Sequence, residues 1–526
     1  MLVTTLAIAQ DDIPQTNDSP LYRGEQMMLN GSYAAASEIF KMADGLDRAD
    51  GLIGASKALA MMGNYQEAES VVADAIDDED YVGFPLLTTQ LAEIMRATGR
   101  SAEALAMLQQ VVDGNAEPPV RTLVQYGSLL KFVGENEQAF SVLDRAVQRY
   151  NDGLVFSSED VAMVAMASWL LGNFHDANSL FDEATRANPN NLEAHTLWAD
   201  LFLEKYNAAD AERGYQDALD LNGRHVPALV GMARVVGDER SLQRALAINP
   251  NSILALETYG QLLMMNGRED EAQEYFRQVL ALNPESLKTL SVLAAKAALE
   301  ERMSAYEDYR QQVEAFSPDN AEFLGHIADS FGNNYRFTEA VEYARSSIEF
   351  DPEYWQGYTL LGSNLIRLGE EEEGRRNLEI GFDNDPFNVM TSNMLKVFDT
   401  LETYATVESE HFKVHMSERD SLILWPYLEP LLEESWTTLS AKYNYEPEGK
   451  TLIEVFEDTA DFAVRSVGLP DIGPLVGICF GKVITLISPD TLTANWQEIV
   501  WHEFAHVITL QMTDNRIPRW LSEGSP

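Results

Sequence analysis

The chain has 526 residues, 45% of them hydrophobic, and a formal net charge of −47 from 37 basic and 84 acidic side chains. That length exceeds a single hydrophobic core and predicts several domains or a repeat array. The acidity excludes nucleic-acid backbones and anionic membrane surfaces as natural partners and leaves proteins and peptides.

The N-terminal run Leu2–Ala9 is mostly apolar and ends in Ala7-Ile8-Ala9 before Gln10-Asp11-Asp12. It reads as a clipped export signal with an Ala-x-Ala cleavage site. Residues 1–20 are therefore assigned to signal and mobile leader. That implies a periplasmic or secreted protein; the competing reading is an ordinary apolar N-terminus on a cytoplasmic one. No apolar run reaches the ~20 residues of a membrane span, and the single cysteine, Cys479, excludes an intrachain disulfide.

From Leu21 a repeat emerges. Pro250, Pro284, Pro318, Pro352 and Pro386 are each 34 residues apart and follow Asn249, Asn283, Ser317, Asp351 and Asp385. Asn188-Pro189 opens the series, and the unit after Gly223 is seven residues short. Within each unit one helix is expected to end at a glycine and a second to open around Glu-Ala or Asp-Ala. Examples are Gly63 with Ala68, Gly99 with Ala104, Gly134 with Ala139, Gly172 with Ala177, Gly267 with Ala272 and Gly369 with Gly374. Each glycine suits a helix C-terminus that needs positive φ. The small residue allows close helix approach, and Phe181, Tyr275, Ala344 and Leu378 are assigned the packing position beyond it.

These features resemble tetratricopeptide repeats. The resemblance implies a mainly α right-handed superhelix over residues 21–404, about eleven helix pairs and a capping helix, with a groove that binds a protein or peptide.

Beyond Tyr404 the pattern changes to mixed strands and helices. Strands are expected at His411–Met416, Leu452–Phe456 and, as one or two, within Val476–Ile487. Helices are expected at Asp420–Tyr443 and Thr459–Val467. An apolar helix then begins at Asn495, expected to cap it together with Glu498. It carries His502-Glu503-Phe504-Ala505-His506. Two imidazoles four residues apart share one helix face and can hold Zn²⁺ with two nitrogens. A second short helix from Pro518, carrying Trp520-Leu521-Ser522-Glu523-Gly524, would bring Glu523 back as the third ligand. Glu503 would then be general base toward zinc-bound water and pass the proton to the leaving amine. Cys479 and the strand pair His411 and His415 read as structural. Arg465 reads as an ion-pair partner, its other reading being a clamp for a substrate carboxylate. His175, His195, His225 and His326, inside the repeats, are assigned no chemistry.

The last 120 residues or so resemble the gluzincin metallopeptidases, specifically the peptidase MA-like domain found fused to bacterial tetratricopeptide repeats. The matching residues run from Phe462-Ala463-Val464-Arg465 through Gly468-Leu469-Pro470 and Gly477–Ile484 to Trp501–His506 and Pro518–Gly524. The resemblance implies a small α+β zincin-like domain at 405–526, with His502, His506 and Glu523 as zinc ligands and Glu503 catalytic. It also implies that the strand before the active helix pairs with extended substrate. The sequence stops three residues after Glu523, which reads as a truncated frame and an incomplete domain. Two functions are therefore carried forward. One is a zinc-dependent peptidase acting on a substrate recruited by the repeats. The other is a non-catalytic scaffold with a vestigial peptidase domain.

Overall fold

A computed structural model describes residues 18–76, 84–471, 473–491 and 495–524. The export signal read at Leu2–Ala9 lies outside these. Among the described residues, twenty-three α-helices run from α1 (Pro20–Leu29) to α23 (Val389–Leu401), eleven consecutive pairs and a final single helix. Ser19 caps α1 by accepting the Tyr22 N–H. The first helix therefore starts within the stretch assigned to the leader.

The repeat chemistry is visible residue by residue. Gly63, Gly99, Gly134, Gly172, Gly267 and Gly369 all take φ between 72° and 87°. Tyr206, Glu301 and Tyr335 occupy the same left-handed turn position without being glycine, so a glycine search alone misses those units. The small residues Ala68, Ala104, Ala139, Ala177 and Ala272 are buried, as are Phe181, Leu378 and Ala344. Tyr275 is only half-buried, and its neighbour Phe276 fills that packing position, four residues beyond Ala272. The side-chain oxygens of Asn188, Asn222, Asn249, Asn283 and Asp351 each accept the N–H two residues on. This turn stops the second helix whether or not proline follows. The short unit is made of helices Val226–Val236 and Glu239–Ile248, eleven and ten residues long.

The chain forms two compact units: the described residues up to Leu203 with Asn207–Thr289, and Glu204–Tyr206 with Leu290 onward. In the first unit, glycine turns of early repeats meet asparagine loops of later ones. A Cβ on Gly63 would lie 2.2 Å from Asn249 Oδ1, and one on Gly99 would lie 2.6 Å from Asn283 Oδ1. Asn222 Nδ2 donates to Met28 O, Asn251 Nδ2 donates to Gly63 O, and the Ser101 N–H donates to Glu285. Arg121 bridges Glu93 and Glu193 across three helices, with contacts of 2.7–3.2 Å.

In the second unit, the strand region holds β1 (Ala405–Glu408), β2 (Phe412–Met416), α24 (Glu418–Ile423), α25 (Trp425–Tyr443), β3 (Thr451–Phe456) and α26 (Thr459–Val467). It continues with β4 (Gly477–Cys479), β5 (Val483–Ile487), α27 (Trp496–Met512) and α28 (Arg519–Gly524). The sheet order is β1-β2-β3-β5-β4, with β2, β3 and β5 parallel and the outer strands antiparallel. β1 was absent from the sequence reading. The single helix expected at Asp420–Tyr443 is two helices broken at Leu424, because Pro426 has no N–H to bond the Leu422 carbonyl four residues back. Leu422 and Tyr427, on either side of the break, are exposed.

One sheet face (Phe412, Val414, Ile453, Val455, Ile484, Leu486) packs on Leu428 and Leu432 of α25 and on Val500, Phe504 and Val507 of α27. On the opposite side, Phe456, with Phe462 and Val464 of α26, packs against Met394, Val397 and Phe398 of α23. Phe337 of the helix Phe337–Phe350 meets Leu452, Phe480 and Val483. The last repeats and the sheet thus share their cores. That is why the compact units divide at Thr289/Leu290 and not at the sequence boundary near 404.

Candidate metal centre

Helix α27 is buried along most of its length, and its apolar residues fix the rotation that brings His502 and His506 to one side. The two Nε2 atoms are 3.0 Å apart and the rings are nearly perpendicular, at 87°. The helix N-terminus falls at Asn495 as expected, but its side chain caps no N–H; it donates to the Glu498 carboxylate instead.

After Met512 the chain reverses through Asp514 and Asn515, both left-handed. Asn515 Nδ2 donates to Tyr335 O, and Arg516 pairs with Glu301, so two side chains pin the reversal. Helix α28 follows, and Glu523 Oε2 returns to 3.7 Å from His502 Nε2 and 3.6 Å from His506 Nε2. One ligand atom from each of the three residues lies within 4.8 Å of the others. Donors about 2.0–2.1 Å from a tetrahedral zinc are themselves ~3.3 Å apart. The three side chains fit such an ion without rearrangement of the backbone. His502 and Glu523 are half-exposed while His506 is nearly buried, so solvent reaches one side of the set.

Ser522, which the sequence reading did not single out, completes the arrangement. Its Oγ lies 2.9 Å from His506 Nδ1, and both residues are buried. An Nδ1–H donated to this hydroxyl leaves the Nε2 lone pair toward Glu523 and His502. The signal for Ser522 lay in its place beside Glu523 on a one-turn helix.

Glu503 is 7% exposed. Burial, with the Glu523 charge adding to it, pushes its carboxyl up to about 8. A dication nearby would favour the carboxylate again. Space for this side chain depends on Gly477, where a Cβ would lie 2.9 Å from Glu503 Oε1. The strand expected to face substrate is corrected here. β5, immediately before α27, is interior, flanked by β3 and β4, whereas β4 is the sheet's edge strand and carries Gly477.

The remaining singled-out residues lie apart from the metal ligands. Cys479 is buried beside Glu503, and burial holds its thiol up, in the neutral form. Arg465 is 1% exposed and pairs with Glu454 on the other sheet face, so it clamps no substrate at this site. His411 stacks on Trp436 and contacts Glu433 at 2.6 Å.

The sequence model of the tetratricopeptide repeat family matches residues 253–286. No curated protein matches the chain. Among solved structures, the chain is similar to yeast Tom70, with 16% identity, 72% of this chain and 88% of that one covered, and a TM-score of 0.32. It is also similar to the APC/C hetero-tetramer Cut9-Hcn1, with 12% identity, 71% and 68% covered, and a TM-score of 0.39. Residues 253–286 thus match one tetratricopeptide repeat, and helix pairs on either side repeat the same turn and packing residues, in a mainly helical chain with a small strand-containing C-terminal region.

Proposed function

We propose that the chain is a protein-binding repeat scaffold whose C-terminal region is a zinc-dependent peptidase, cutting the protein or peptide that the repeats hold. The repeat match supports the scaffold. The observation that carries the peptidase reading is the convergence of His502, His506 and Glu523 next to buried Glu503. His502, His506 and Glu523 would hold the ion. When bound, zinc supplies Lewis acidity toward a peptide carbonyl and lowers the pKa of water.

The protein's own groups do the rest. Ser522 fixes the His506 ring. Glu503 takes a proton from the attacking water on a carboxylate oxygen and delivers it to the leaving amide nitrogen. Edge strand β4, with Gly477 against Glu503, offers backbone pairing for an extended substrate. If residues 1–17 carry the export signal read in the sequence, the site of action is the periplasm or the cell exterior.

A scaffold that holds partners without cutting them is the second reading, favoured by the family match falling on the repeats alone. Zinc-reconstituted protein incubated with an unfolded, reduced protein separates the two. Cleavage that Glu503→Gln abolishes supports the peptidase. Binding without cleavage under any metal condition leaves the scaffold.

A further inference from the structure

On the sheet face away from α27, a second set of ligating side chains converges. His415 on β2 and Glu454 on β3 are register partners in adjacent parallel strands, so their side chains share this face. Glu371, the first residue of the helix Glu371–Asn384, reaches the same point. One ligand atom from each of the three lies within 4.8 Å of the others.

Glu454 is fully buried, and neither carboxylate oxygen has a hydrogen-bond partner. Arg465 Nε lies 2.8 Å from Oε2 but outside hydrogen-bond alignment, and Arg465 Nε and Nη1 are themselves unsatisfied. Two carboxylates here face one guanidinium and an imidazole whose burial, chiefly, disfavours protonation. A buried carboxylate whose one guanidinium partner is out of hydrogen-bond alignment is costly, and a cation with a free coordination position would relieve it. Burial pushes Glu454 up to about 7, with Glu371 adding and Arg465 opposing, the direction expected of a site short of positive charge.

We propose that Glu371, His415 and Glu454 form a second site for a first-row transition dication. It would tie the first turn of the helix Glu371–Asn384 to strands β2 and β3. The imidazole selects zinc-like ions over Ca²⁺ and Mg²⁺, which prefer all-oxygen shells. Arg465 then serves as outer partner to the Glu454 carboxylate. Because Glu371 belongs to the repeats and the other two ligands to the sheet, the ion would be a clasp within this compact unit, separate from the peptidase chemistry.

The test uses the full chain, stripped with chelator, reloaded with Zn²⁺ and measured by elemental analysis. The His502→Ala/Glu523→Ala variant is expected to retain about one equivalent, and adding Glu371→Gln and His415→Ala to remove it. In the first variant Zn²⁺, but not Ca²⁺, should raise Tm by about 5 °C. In the fourfold variant Zn²⁺ should leave Tm unchanged. Both added substitutions are at half-exposed positions, and circular dichroism checks that the helices persist. Loss of all zinc from the first variant, zinc retained by the fourfold variant, or an equal Tm rise with Ca²⁺ overturns the proposal. If wild type holds only one equivalent and the first variant keeps it, the clasp stands and the His502/His506/Glu523 site fails.

Discussion

Replacing Ser522 by alanine removes a single hydroxyl without touching a metal ligand. In the native arrangement its Oγ lies 2.9 Å from His506 Nδ1 and both residues are under 8% exposed. Loss of the bond itself costs ~0.5–1.5 kcal/mol, and the stranded Nδ1–H adds part of a desolvation penalty of ~1–3 kcal/mol. The freed imidazole also samples rotations that aim Nε2 away from Glu523. Together these weaken zinc binding by about 1.4–2.7 kcal/mol, a 10- to 100-fold rise in Kd. Competition titration against a chromophoric chelator, with the second cluster disabled by Glu371→Gln and His415→Ala, reads this Kd directly. The expected result is unchanged stoichiometry with weakened affinity. A rise in Kd below about threefold would refute the claim that Ser522 orients His506.

Other substitutions probe neighbouring residues and the first compact unit. Glu503→Gln should keep zinc stoichiometry in elemental analysis while lowering cleavage of an unfolded protein by ~10²–10⁴-fold. Gly477→Ala places a methyl 2.9 Å from Glu503 Oε1 and 3.0 Å from Leu486; cleavage should fall at least ~10-fold with zinc retained, and unchanged kinetics would show that β4 does not position Glu503. Arg121→Met breaks the bridge to Glu93 and Glu193 and should cost about 2–3 kcal/mol in urea unfolding, below the figure for a fully buried pair because the Glu193 side chain is 40% exposed. Burial raises the Glu193 carboxyl, but Arg121, helped by Lys57, overrides this and holds it at about 2, below the ordinary 4.5. Wild type therefore keeps this contribution above pH 4.5 and loses it as pH falls toward 2. The stability gap between wild type and Arg121→Met should narrow as pH falls from about 4.5 toward 2; a gap independent of pH would show that Arg121 does not set the Glu193 ionisation.

Features with a fixed local period could be read in the sequence. Positive φ at Gly63 or Gly172 and burial of Ala177 with Phe181 follow from helix-turn-helix geometry that repeats every 34 residues. His502 and His506 follow from the rise of one helix turn. Features made by distant segments could not be read. Nothing near Glu454 in sequence announces Glu371, and nothing near Gly477 announces Glu503. β1 is four residues long and alternates weakly, so it takes its conformation from pairing with β2. The break at Leu424 was legible in Pro426, but the apolar spacing on either side masked it. The left-handed turns at Tyr206, Glu301 and Tyr335 are imposed by the helices they join, against local preference.

The meeting of Gly63 and Gly99 with Asn249 and Asn283 has a consequence for how the first unit unfolds. In a linear repeat array each member feels only its two neighbours, and the ends fray first. Here the loops at Asn222, Asn251 and Glu285 bond to repeats near the N-terminus, roughly 190 residues earlier. Opening an early repeat therefore also exposes bonds of a late one. Amide hydrogen exchange in helices Arg48–Met61 and Ile253–Met265 should slow together and release together. The chemistry of one turn residue thus extends the cooperative length from one helix pair to most of the unit.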